Sequence, residues 1–131
     1  MNGKDVIPDD VRRFVLSSID SIAQLEALLI FRGNPETGWS VPAIAARLYI
    51  AQDQVAAMLA RMAADGFLIA ANGDGTVYRY LPRPEELAPL VDRLAEEYSR
   101  HLVAITKLIH AKQSMRINEF ADAFKLRKDL P

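Results

Sequence analysis

Between residues 52 and 65 the apolar positions Val55, Met58, Leu59 and Met62 recur at i, i+3, i+4 and i+7. That spacing puts one stripe on one face and predicts a helix over 52–65. Gly66 follows directly, in the C′ position where a left-handed residue commonly ends a helix. Phe67 to Ala70 then has strand character. Asn72-Gly73-Asp74-Gly75 is turn chemistry, and Thr76 to Tyr80 alternates like a returning strand, so a hairpin is predicted. Upstream, Ser40 suits an N-cap and Pro42 a first helical turn, with Ile44, Ala45 and Leu48 facing inward. Tyr49-Ile50 reads as the turn into the next helix, with Ile50 as a buried anchor. Ala51 supplies no side-chain oxygen at the following N-cap, which costs about 1 kcal/mol of capping.

The flanks are helical by the same test. Pro8-Asp9-Asp10 fits a helix start, and Val11, Phe14 and Val15 share a face, which predicts a short helix to about Ser17. Ser21 and Gln24 form a capping box before a helix over 22–32 carrying Leu25, Leu28, Leu29 and Phe31 and ending at Gly33. A loop over 34–38 leads to Trp39, expected in a short first strand. After the stiff Pro82-Arg83-Pro84 exit, one long helix is predicted from about Glu85 to His110 or Ala111. Leu87, Val91, Leu94, Tyr98, His101, Ile105 and Leu108 recur on it at alternating spacings of four and three. Such a seam either packs inside its own chain or meets a second copy. A ~39 Å helix exceeds what the preceding segment of about 65 residues can cover, so these seven residues are the expected homodimer interface. Ser114 is expected to cap a separate final helix with Ile117, Phe120, Ala121 and Phe124 on one side, and the basic tail from Lys125 to Asp129 to lie in solvent.

Helix, turn, helix and hairpin in this order, within "WSVPAIAARLYIAQDQVAAMLARMAADGFLIAANGDGTVYRYLP", resemble a winged helix-turn-helix domain of the MarR-like and PadR-like bacterial regulators. The resemblance implies a mainly α fold with a small β-hairpin wing, an N-terminal helix and a long C-terminal helix. It implies an N-terminal arm over 1–18, the winged domain over 19–82 and dimerisation helices over 83–131. It also implies a transcriptional regulator that binds double-stranded DNA as a homodimer and needs no cofactor. On that reading the helix over 52–65 enters the major groove, exposing Gln52, Asp53, Gln54, Ala56, Ala57, Ala60 and Arg61. Glutamine can read adenine and alanine can touch a thymine methyl. Ser40, Arg47, Arg61 and Arg79 would hold phosphates, with Asn72 at the wing. The alternative is a winged-helix adaptor that has lost DNA binding and docks a protein partner, through the alanine-rich helix face and a wing carrying Asp74.

Charge sharpens that alternative. The 131 residues carry 16 Lys and Arg against 17 Asp and Glu, so bulk composition supplies no basic surface for phosphates. Half the residues are apolar, which suits one packed domain of this length. With no cysteine, thiolate catalysis, disulfides and cysteine zinc sites are excluded. No apolar run is long enough to span a bilayer and the first ten residues have no signal-peptide core, so a cytoplasmic protein without membrane contact is expected. His101 and His110 lie nine residues apart on a predicted helix and project to opposite faces, which makes no metal site. The Asn72–Gly75 turn fails as a calcium loop because Ala70 and Leu81 fall at its end ligands. Gly73 and Gly75 fail as a dinucleotide fingerprint because a strand follows them. No enzyme chemistry is legible.

Overall fold

In a computed structural model of the protein, residues 6–72 and 76–128 are described, with side chains through residue 116. Helices α1 (Asp9–Ser18) and α2 (Ile22–Gly33) precede strand β1 (Trp39–Ser40), α3 (Val41–Leu48) and α4 (Gln52–Ala64). Strands β2 (Leu68–Ala70) and β3 (Val77–Tyr80) follow, then α5 (Leu87–Arg100) and α6 (Leu102–Lys128). The chain forms two compact units, Ala23–Glu96 and the flanking segments Met1–Ile22 with Glu97–Pro131.

In the central unit, α3 and α4 pack together and a three-stranded antiparallel sheet runs in the order β1-β3-β2. Trp39 pairs with Tyr78 across β1 and β3, and Leu68 with Tyr80 across β2 and β3. Leu25, Leu28, Phe31, Ile44, Val55, Leu59, Met62, Phe67, Val91 and Leu94 are buried, so the predicted stripe of α4 faces a core. Ile50 is half-buried rather than a fully enclosed anchor. The Tyr80 hydroxyl is buried without a partner among the described residues, and its pKa is pushed up to about 12, first by burial and then by the charge of Asp92, with Arg32 opposing.

Two helices of this unit end in the left-handed conformation. After α4, Gly66 has φ +94°, its N–H donates to Ala63 and that of Phe67 to Met62, which is a Schellman ending. A Cβ at Gly66 would collide with the Arg83 carbonyl oxygen, so glycine is required twice over, by conformation and by space. After α3, the same role falls to Tyr49 at φ 59°, and the N–H groups of Tyr49 and Ile50 both point to the Ala45 carbonyl. A residue with a Cβ there is strained by roughly 1–2 kcal/mol.

The flanking unit joins α1 to α6 through one buried cation. Lys112 Nζ donates to the Val15 carbonyl at 3.3 Å, the Ile19 carbonyl at 2.8 Å and Asp20 Oδ1 at 3.1 Å. The Val15 carbonyl already accepts the Ile19 N–H at 3.0 Å, so the lysine adds a second donor there and supplies one to the Ile19 carbonyl just past α1, capping one helix from another. Arg116 reaches the same Asp20 oxygen at 3.0 Å, and the Gln113 amide donates to the Asp20 carbonyl at 3.0 Å. Partial burial would raise the Asp20 pKa, but its bonds and charge pairing with Lys112 and Arg116 hold the carboxyl below its ordinary value.

The C-terminal helices differ from expectation. The single helix over 85–111 is interrupted at His101, although the His101 N–H still donates to Glu97 at 2.7 Å and Ile105 to His101 at 3.0 Å. The separate helix at Ser114 does not form. No glycine or proline occurs between 102 and 128, so nothing stops α6 and it runs through Ser114 as one element. The side chains of Ile117, Phe120, Ala121 and Phe124, and the Lys125–Asp129 tail, lie outside the described residues. So do Gly73, Asp74 and Gly75 of the wing. Among the described residues no single helix is long and apolar enough to cross a membrane.

Candidate nucleic-acid interface

α3 begins at Ser40, whose hydroxyl oxygen accepts from the Ala43 N–H at 3.2 Å, with Pro42 in the first turn. α4 begins at Ala51 with no side-chain cap, as the sequence suggests. Its stripe Val55, Leu59 and Met62 is buried, which leaves Gln52, Asp53, Gln54, Ala56, Ala57, Ala60 and Arg61 exposed on the other side. The starts of α3 and α4 meet the base of β3 in an open cleft of about 670 Å³. Ser40, Val41, Pro42, Gln52, Asp53, Ala56, Thr76 and Val77 line it.

The cleft therefore joins two of the expected contact residues, Ser40 and Gln52. The remaining six lie outside its lining. Arg47, exposed near the end of α3, lies over the Trp39 ring at 5.5 Å from its centroid, a cation–π arrangement that fixes its direction. Arg61 is exposed but its Nε meets Asp65 Oδ2 at 3.1 Å, one turn on, which offsets its charge. Arg79 is exposed on β3 opposite Ile69 of β2. Asn72 donates to the Thr76 hydroxyl at 2.7 Å across the base of the wing. Gln54 and Ala57 stand on the open face of α4, and the Gln54 N–H is taken by Asp53 Oδ1 at 3.0 Å.

Sequence reasoning missed Thr76, Val41 and Pro42 as lining residues, since only the folded hairpin brings the start of β3 to the two helix starts. Asp53 also lies in the cleft, an acid where phosphate would approach. The central unit has arginines 32, 47, 61, 79, 83 and 93 and no lysine, against nine Asp and Glu. Shape, not charge, is what marks this face.

The residues of the expected dimer seam differ in exposure within the single chain. Val91, Leu94 and Ile105 are completely buried within the single chain, so no surface of theirs is left for a second copy. Tyr98, His101, Leu87 and Leu108 are half-buried, and the interruption at His101 means the seven residues do not share one helix.

A buried three-helix core followed by a strand pair, with a first strand closing the small sheet, defines a winged helix-turn-helix. Solved structures agree. A multiple antibiotic-resistance repressor of the MarR type from Listeria monocytogenes superposes with a TM-score of 0.52 at 18% identity, over 92% of this chain and 82% of its own. A transcriptional regulator from Thermotoga maritima gives 0.51 at 17% identity, over 93% and 87%. This is a likeness of fold. No family model and no curated protein sequence matches the chain.

Proposed function

We propose that the protein is a cytoplasmic transcriptional regulator that binds double-stranded DNA as a homodimer, with α4 in the major groove. The observation that carries this reading is the α4 face itself. Its apolar stripe is buried while Gln52, Gln54, Ala57 and Arg61 stand exposed beside the cleft formed with α3 and the wing. Of the proteins it superposes on, one is described as a multiple antibiotic-resistance repressor and the other as a transcriptional regulator. In this reading Gln52 and Gln54 read base edges, Ala57 contacts a thymine methyl, and Ser40, Arg47, Arg61, Asn72 and Arg79 meet the backbone.

The second copy is assigned to the flanking unit. Leu102 and Val103, at 54% and 62% exposure, border an open groove of about 740 Å³ that Val6, Ile7, Ala104 and Leu108 also line. A twofold mate would cover that groove, and a dimeric regulator of this kind reads half-sites about one helical turn, ~34 Å, apart.

Two experiments test the reading. Replacing Gln54 and Arg61 together by alanine should weaken binding to a selected DNA sequence by about 10- to 100-fold, with the oligomeric state unchanged. Unaltered affinity would discard α4 as the contact helix. Leu102→Glu with Val103→Glu should give folded monomers by light scattering, and a persisting dimer would move the interface elsewhere.

A further inference from the structure

α3 and α4 close on left-handed residues, one a tyrosine and the other a glycine. Glycine takes this conformation freely; an aromatic residue there is strained by its Cβ. Strain of this kind persists where packing compensates it or where the residue serves a purpose. Packing does not compensate Tyr49: it is 93% exposed, while the next most exposed large apolar residues among those described, Val103 and Met115, reach 62%. The ring stands three positions before Gln52, the first residue of α4, and two after Arg47, itself exposed and held over Trp39. The sequence thus keeps a large amphipathic side chain, strained and in water, at the entry to the helix assigned to DNA.

We infer that Tyr49 is a DNA-backbone contact that seats α4 in the groove. Its hydroxyl donates to a phosphate oxygen and its ring covers the neighbouring sugar. Because it precedes the helix whose first turn occupies the groove, it flanks the bases and meets the strand at the groove's edge. The inference rests on the DNA-binding reading above and names a contact that reading does not contain. It also suits a unit poor in net positive charge, since a neutral donor needs no cation.

Fluorescein-labelled duplexes of random genomic sequence, titrated by anisotropy across a salt series, test it together with thermal melts. Tyr49→Gly should raise the melting temperature by about 2–4 °C as strain is relieved. It should weaken DNA binding about tenfold at every salt concentration, leaving the salt slope unchanged because no counterion is released by a phenol. Tyr49→Phe should keep the wild-type melting temperature and lose about half of that effect on a logarithmic scale. Wild-type affinity in Tyr49→Gly would overturn the inference and leave the DNA reading standing. A loss of affinity accompanied by a lower melting temperature would make the residue structural and overturn it as well. A loss confined to one preferred sequence would make Tyr49 a base contact, overturning the backbone assignment. Failure of the wild-type protein to bind any duplex would remove both the inference and the reading beneath it.

Discussion

The central unit and the flanking segments solve the same problem, ending and joining helices, with different chemistry. In Ala23–Glu96 the decisive devices are backbone ones: Gly66 at positive φ against the Arg83 carbonyl, Tyr49 in the same conformation, and the Ser40 cap. In the flanks the device is a buried charge, Lys112, with three acceptors on or just after α1. The charge follows suit. The flanking segments hold ten Lys and Arg against eight acids, while the central unit is acidic, with six against nine. The unit that carries the proposed α4 contact face therefore lacks electrostatic attraction for DNA in bulk, so in that proposal specificity comes from hydrogen bonds and fit.

Breaking each device should show the difference. Lys112→Ala takes the donor from the buried Ile19 carbonyl and leaves Asp20 with Arg116 alone, and should destabilise the protein by about 2 kcal/mol in urea denaturation. A loss under 1 kcal/mol would mean that water replaces the ammonium and that the flanks are held by apolar packing alone. Gly66→Ala should cost about 2 kcal/mol, from the left-handed backbone and the collision with Arg83.

The acid limb of stability separates the units further. Asp20 is held below its ordinary pKa in the folded state, so its contribution is complete above the unfolded carboxylate value of about 3.9 and disappears as pH falls through the folded value. Asp20→Asn should therefore be less stable at pH 7 and should flatten the fall in stability between about pH 4 and pH 2. An unchanged acid limb would move the effect to other carboxylates. The smallest change is a gain: Ala51→Ser supplies the missing α4 cap and should stabilise by about 0.5–1 kcal/mol, read as a raised urea midpoint.

How much of this was legible depends on the range of the interaction. The α4 stripe, the Ser40 cap, the bare Ala51 and the stop at Gly66 are local, and period and propensity suffice to place them. The short first strand at Trp39 was legible as well. The flanks were harder because Leu94 and Ile105 satisfy a heptad pattern equally well as core or as interface, and only three-dimensional burial distinguishes them. Ser114 looked like a cap because serine serves in caps, yet it also continues a helix when its neighbours favour one. Lys112 gave no sequence signal, since a lysine in a helix reads as solvent-facing until its acceptors, more than ninety residues away, are in place. The left-handed Tyr49 was hidden for a related reason. Its turn was predicted, but the expected residue for that conformation is glycine.

The central claim is that α4 and its surroundings contact DNA despite an acidic unit. Fluorescence anisotropy of the wild-type protein with random genomic duplexes, from low to physiological salt, tests it most directly. The account predicts measurable binding at low salt whose affinity falls as salt rises, with a slope of about −5 set by Arg47, Arg61, Arg79 and their mates in a dimer. Absence of binding at the lowest salt would contradict it, and the exposed face of α4 would then belong to a protein partner.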